Sequence, residues 1–107
     1  MKESFTHPTY DLTDLQKKVE VGHWQPTRRA AQDAMERGFD SEDMRECVCR
    51  LTTDDFHKTA PSETRPGTMQ DVYKTEYCGR ALYVKLTKGA AGKTVVISFH
   101  DDASEHS

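Results

Sequence analysis

The stretch from Met69 to His100, MQDVYKTEYCGRALYVKLTKGAAGKTVVISFH, constrains the fold more than any other part of the chain. Its central segment alternates strictly. Leu82, Val84 and Leu86 fall on one row, and Ala81, Tyr83, Lys85 and Thr87 on the other, because side chains on a strand alternate with period 2. In the last segment the same spacing makes Val95, Ile97 and Phe99 an apolar row, opposite Val96, Ser98 and His100. The stretch reads as an antiparallel three-strand meander, with KGAAG at Lys88 to Gly92 as its final turn. One face is core. The other gathers tyrosine, lysine, threonine, serine and histidine, groups that are costly to bury without a task.

Upstream, the periodicity turns helical. A first helix is expected from Asp14 to Val21, with Thr13 and Gln16 as a capping box, Leu12, Leu15 and Val19 as its apolar stripe, and Gly22 as the stop. His23, Trp24, Gln25 and Pro26 read as a short connection. Thr27 caps a second helix that ends at Gly38 and turns Ala30, Ala31, Ala34 and Met35 inward. A third begins after Ser41, carries Glu42 and Asp43 in its first turn, and buries Met44, Cys47, Val48 and Leu51. From Thr52 the segment TTDDFHKTAPSETRPGT is rich in breakers. It predicts one short turn carrying Phe56, His57 and Lys58, then an exposed loop through Gly67. Helices first and sheet afterwards give an α+β fold, with short N-terminal helices packed on one face of a C-terminal antiparallel sheet.

Length sets the scale: 107 residues make a single domain, 1–107, flanked by a loose arm over residues 1–10 and a polar tail from Asp101. The start, MKESFTHPTY, has no apolar signal-like core, so the expected location is the cytoplasm, with no membrane partner. Cys47, Cys49 and Cys78 are an odd set without the spacing of a disulfide framework and read as free thiols. His7, His23 and His106 lack metal-ligand spacing, so no metal or other cofactor is expected. The net charge of -3 argues against a generic nucleic-acid binder, yet it conceals an asymmetry. Residues 1–55 hold 8 Lys+Arg against 12 Asp+Glu, whereas residues 56–100 hold 7 against 3. The half with the meander is basic, which leaves a polyanionic partner open on that side alone.

The order of short motifs completes the reading. Asp55-Phe56-His57-Lys58, Gln70-Asp71-Val72-Tyr73, Leu82-Tyr83-Val84-Lys85-Leu86-Thr87 and Val95-Val96-Ile97-Ser98-Phe99 follow a helical half that contains Lys17, Val19 and Gly22, then Thr27, Arg28 and Ala30. Together they resemble the motility quorum-sensing regulator (MqsR) toxins of bacterial type II toxin-antitoxin systems, from about Leu15 to His100. The resemblance implies a RelE-like fold and a metal-independent endoribonuclease that cuts mRNA and arrests growth. It also implies a cognate antitoxin, usually with a zinc-binding domain and a helix-turn-helix domain. The family's functional positions fall on Lys58, Gln70 and Tyr83, and a fourth, commonly lysine, is His100 here. His57 replaces a usual tyrosine and Met69 a common tryptophan.

These residues suit metal-free RNA cleavage, which needs a base, an acid and cations for the added negative charge. Lys58 and His100 are candidates to stabilise the phosphorane, Tyr83 or His57 to move a proton, and Gln70 to orient the substrate. Lys85 and Arg80 are the candidate RNA-phosphate contacts. The alternatives are a catalytically degenerate module of the same fold that binds RNA or antitoxin without cutting, and an adaptor that docks a protein on its polar face.

Overall fold

The computed structural model describes residues 7–102. Its elements run α1 (Leu12–Glu20), β1 (Trp24–Pro26), α2 (Arg28–Glu36), α3 (Ser41–Arg50), a 3-10 turn (Thr53–Asp55), β2 (Phe56–Pro61), β3 (Met69–Tyr77), β4 (Arg80–Lys88), a second 3-10 turn (Ala90–Gly92) and β5 (Thr94–Asp101). Five strands form one sheet in the order β1-β5-β4-β3-β2. Only the β1–β5 pair is parallel. The α+β arrangement expected from the sequence is present, with the meander at its centre and one further strand on each side.

Both added strands correct the sequence reading. Trp24–Pro26 was expected as a connection, but it lies parallel to Thr94–Val96; three residues are too few to show a period. Phe56–Pro61 was expected as a turn and loop, but it pairs antiparallel with Met69–Tyr73. Its pattern is hidden by a β-bulge: Phe56 opposes Tyr73 and Lys58 opposes Val72, leaving His57 as the extra residue. In a regular strand Phe56 and Lys58 would share a face. The bulge instead lets Phe56 pack edge-on against the buried Tyr73 ring while Lys58 stays exposed on the other side.

A second bulge sits in β5. Lys85 opposes Ser98 and Leu86 opposes Val96, so Ile97 is the extra residue there. Val96 and Phe99, three apart, are therefore both fully buried in the core with Leu82, Val84 and Leu86. This overturns the expected row of Val95, Ile97 and Phe99. Only Phe99 lies within; Val95 and Ile97 line cavities on the opposite face.

The helices cover the core face. Leu15 and Val19 of α1, Ala30 and Ala34 of α2, and Met44 and Val48 of α3 join one cluster with the sheet residues. Thr27 caps α2 as expected, accepting from the Ala30 amide at 3.1 Å. Met35 does not face inward: it is 68% exposed, since it stands about 100° round the helix from Ala34. For α1 the cap is Asp11, not Thr13. Gln16 is freed from capping its own helix and donates to the carbonyls of Val48, Cys49 and Leu51 at 3.0, 3.3 and 2.9 Å. Those are C-terminal carbonyls of α3, which the helix itself leaves unpaired. Asp40 and Asp43 form the reciprocal cap at the start of α3.

Of the cysteines, Cys47 is buried, Cys49 partly so and Cys78 exposed. Burial pushes the Cys47 thiol up to about 12. Cys78 and Gly79 both have positive φ, 51° and 78°, in the two-residue turn between β3 and β4, the geometry that matches the twist of a tight hairpin.

The ends are tied more firmly than their composition suggests. Residues 1–6 and 103–107 lie outside the described residues, but the last part of the expected arm is fixed by Asp71. Its two carboxylate oxygens accept from the amides of Thr9 and Tyr10 at 3.0 and 2.9 Å, and Asp71 is fully buried. The Tyr10 hydroxyl adds a bond to the Met69 carbonyl. Charge-assisted bonds of this kind each contribute about 1.5–3 kcal/mol, and removing the acceptor strands two amides. Asp71→Ala is therefore expected to cost about 2–4 kcal/mol, read as a lower urea midpoint at unchanged m-value.

Candidate active site

Strand register determines which side chains meet on the open face. Lys58, Val72, Lys85 and Ser98 stand opposite one another across β2, β3, β4 and β5. The next row along is Lys74, Tyr83 and His100. In the other direction Gln70 stands opposite Ala60. The two bulge residues, His57 and Ile97, flank the first row at either end.

A cleft of about 460 Å³ opens over these rows, lined by Lys58, Gln70, Val72, Tyr83, Lys85, Ile97 and residues 60–64. Residues 62–68, expected as an open loop, form a fastened turn along its rim. The Ser62 hydroxyl accepts from the amides of Thr64 and Arg65 at 3.2 and 3.1 Å, and the Ser62 amide donates to the Thr68 carbonyl at 2.8 Å. This turn brings Glu63 to the wall of the cleft. Sequence reasoning missed Glu63, since nothing in a polar loop marks one acid above its neighbours.

The structure thus brings Lys58, Gln70, Tyr83 and Lys85 into one cleft. His100 stands at its edge, stacked on Tyr83 with ring centroids 5.0 Å apart and planes 10° from parallel. Its Nδ1 lies 2.9 Å from the Asp101 carbonyl, which can only accept, so Nδ1 carries the proton. The stack holds the phenol in place and leaves Nε2 as the second nitrogen. Tyr83 is held above the usual 10 by burial and then by the nearby Asp102 carboxylate, so at neutral pH the phenol keeps its proton.

His57, exposed on its bulge, is moved the other way. Partial burial and the ammonium groups of Lys74 and Lys58 lower its pKa below 6.5, with Asp102 opposing them. The neutral imidazole is favoured. Asp102 was expected in an unstructured tail, yet it is only 4% exposed, lies 3.6 Å from Lys74 Nζ, and donates its backbone amide to Ala81. It stands one row further along the same face, beside Ala81, and biases both Tyr83 and His57. The only signal for it in the sequence was its position directly after the strand.

Arg80 is the residue the structure takes away from this group. It lies three positions from Tyr83 and has the opposite parity, on the helix side of the sheet. There its Nη1 meets the Asp101 carboxylate at 3.0 Å, and Arg37 of the segment after α2 reaches the same carboxylate at 3.2 Å. Arg80 closes a structural ion cluster rather than the cleft.

With the cleft in view, the chain can be set beside known proteins. Residues 7–101 match the family described as Motility quorum-sensing regulator, toxin of MqsA. The chain belongs to this family. It is 28% identical over 94 residues to the mRNA interferase toxin MqsR of Escherichia coli (strain K12), covering 88% of this chain and 94% of that protein. In this MqsR-family chain two of the three departures noted in the sequence, His57 and His100, lie beside the cleft, and the third, Met69, lies away from it. His57 is the bulge residue of β2, and His100 stacks on Tyr83. Met69 presents its carbonyl to Tyr10 and Thr87. No helix among the described residues is long and apolar enough to cross a membrane.

The Arg80 placement has a direct check. The hydrogen bond from Arg80 is the largest cause holding the Asp101 carboxyl below 3.8, with Arg37 adding to it. In an NMR titration Asp101 should ionise below the usual aspartate range in the parent and move upward in Arg80→Ala. A position unchanged by that substitution would mean the ion cluster does not exist in solution.

Proposed function

We propose that this protein is an mRNA interferase, a toxin that cuts single-stranded messenger RNA in the cleft over Lys58 and so arrests growth. The observation that carries this is the convergence of Lys58, Lys85, Gln70 and Tyr83 on one cleft from three different strands. The relative named mRNA interferase and the basic balance of residues 56–100 support it.

In the reaction, the ribose 2′-oxygen attacks the adjacent phosphorus, and the bond from phosphorus to the 5′-oxygen of the next nucleotide breaks. The products are a 2′,3′-cyclic phosphate and a 5′-hydroxyl. Lys58 and Lys85 hold the phosphate and offset the charge that grows on its oxygens in the pentacoordinate state. Gln70 orients the ribose or base through its amide. Tyr83, protonated and braced by His100, gives its proton to the leaving 5′-oxygen. Two groups can take the 2′-proton: the carboxylate of Glu63 on the wall of the cleft, and the neutral His57 beside the cleft. The cognate antitoxin that would hold such a toxin inactive belongs to the same reading, as does a cytoplasmic location.

The second reading is a degenerate relative that holds RNA without cutting it, favoured by histidine at positions 57 and 100. One experiment separates the two. Pure protein incubated with a long transcript in excess EDTA should give discrete fragments ending in 2′,3′-cyclic phosphates. Lys58→Ala should slow this about 10²- to 10³-fold, as loss of one charge-stabilising donor does elsewhere. A transcript that stays intact but is retarded on a gel would establish the binding module instead.

The pH profile then assigns the base. If His57 serves, the rate falls as pH drops through its lowered pKa, because protonation removes the acceptor, and it levels off above that point. If Glu63 serves, His57→Ala leaves the profile unchanged and Glu63→Gln removes the activity. In either case Tyr83 keeps its proton until above pH 10, so no alkaline loss from it is expected below that value.

A further inference from the structure

We propose that the open face carries a second nucleotide subsite, beside the Lys58 cleft, which reads one base next to the phosphate to be cut. The inference rests on the ribonuclease reading for what lies in the cleft. Its own observations are separate. A second cavity of about 350 Å³ lies between β1, the 62–68 turn and the turn that joins β4 to β5. It shares Ser62, Thr64, Gln70 and Ile97 with the cleft, so the two basins adjoin along those four side chains. Gln70 is two residues along β3 from Val72 in the Lys58 row, roughly 7 Å away. A single strand whose phosphate sits at Lys58 and Lys85 would therefore carry its neighbouring base into this cavity. The volume is at the low end of ligand pockets, about 300–1,000 Å³, and suits one nucleotide.

The chemistry of the walls is that of a base reader. Val95 and Ile97 give the cavity aliphatic surface against which a flat base can pack. They are on this face because the β5 bulge places them there. The charged groups at the rim, Lys93 and Arg65, are donors only, and the lining hydroxyls and the Gln70 amide can donate or accept. Lys93 Nζ donates to Gln25 Oε1 at 2.8 Å, which engages the amide oxygen and leaves the Gln25 NH₂ for a ligand. Arg65 lies on the facing turn. None of the lining residues is acidic, in contrast to the cleft with its Glu63. Two cations and the free Gln25 NH₂ with no carboxylate favour a base edge that carries a carbonyl oxygen over one that carries an exocyclic amine, and an adjacent phosphate suits the two cations.

The test uses short single-stranded 2′-O-methyl oligonucleotides, which lack the attacking hydroxyl and bind without being cut. Each of the four bases is placed in turn at each position, and affinity is read by fluorescence anisotropy. The parent protein should prefer guanine or uracil, whose edges carry a carbonyl oxygen where adenine and cytosine carry an amine, at one position by about tenfold. Gln25→Ala and Lys93→Ala should erase that preference; Gln25 is exposed and Lys93 half-buried, and far-UV circular dichroism checks that both variants fold. Absence of any base preference in the parent, or a preference that survives both substitutions, would overturn the subsite. Cutting is scored separately on unmodified RNA. A parent that discriminates through Gln25 and Lys93 but cuts nothing keeps the subsite and loses the ribonuclease reading. A parent that cuts but shows no preference sensitive to these residues does the reverse.

Discussion

Two extra residues, one in each strand that flanks the β3–β4 hairpin, decide what each face of the sheet is made of. His57 in β2 and Ile97 in β5 each oppose no partner of their own, and each shifts the parity of the strand that follows. In β2 the shift lets a core phenylalanine and an open-face lysine stand two residues apart. In β5 it sends both Val96 and Phe99 inward although they are three apart. Without the first, Lys58 would be turned to the buried side of the sheet, where taking its ammonium out of water is costly. Without the second, half of β5 would present the wrong row to the helices. Bulges concentrate beside functional sites because they re-aim a side chain at small cost to the ladder.

The open face is an electrostatic construction on that frame. Lys58, Lys74 and Lys85 bring positive charge to adjacent rows, which suits an anionic backbone, and Lys74 and Lys58 add to the partial burial that lowers the His57 pKa. Asp102, buried one row further along the same face, is the counterweight. It lies near Lys74, raises Tyr83 and partly restores His57, so one carboxylate tunes two titratable neighbours in the same direction. The acidic half of the chain contributes instead to the helix ends and ion pairs on the other side, as at Asp40, Asp43 and Asp14.

Much of this was legible in the residues. Leu82, Val84 and Leu86 alternate without interruption, and all three are fully buried. Thr27 announced its helix, and Gly38, at φ 86°, closed it. The ordered motifs led to the family and to Lys58, Gln70 and Tyr83, which converge on one cleft. What escaped was whatever broke a period or depended on distant partners. β1 is too short to show alternation, β2 was masked by its bulge and by polar neighbours, and the Gln16 amide was assigned to a local cap because its carbonyl partners lie more than 30 residues away. Arg80 is a different case: its parity relative to Tyr83 was readable from the strand alone, and it excludes that residue from the open face.

The two outermost strands share one detail. β1 ends at Pro26 and β2 ends at Pro61, and these are the margins of the sheet. A proline offers no amide hydrogen to an incoming strand, so each free border stops short as a template for another chain. Newly made copies of this protein, crowded at their site of synthesis, thus offer one another a shortened template at either border.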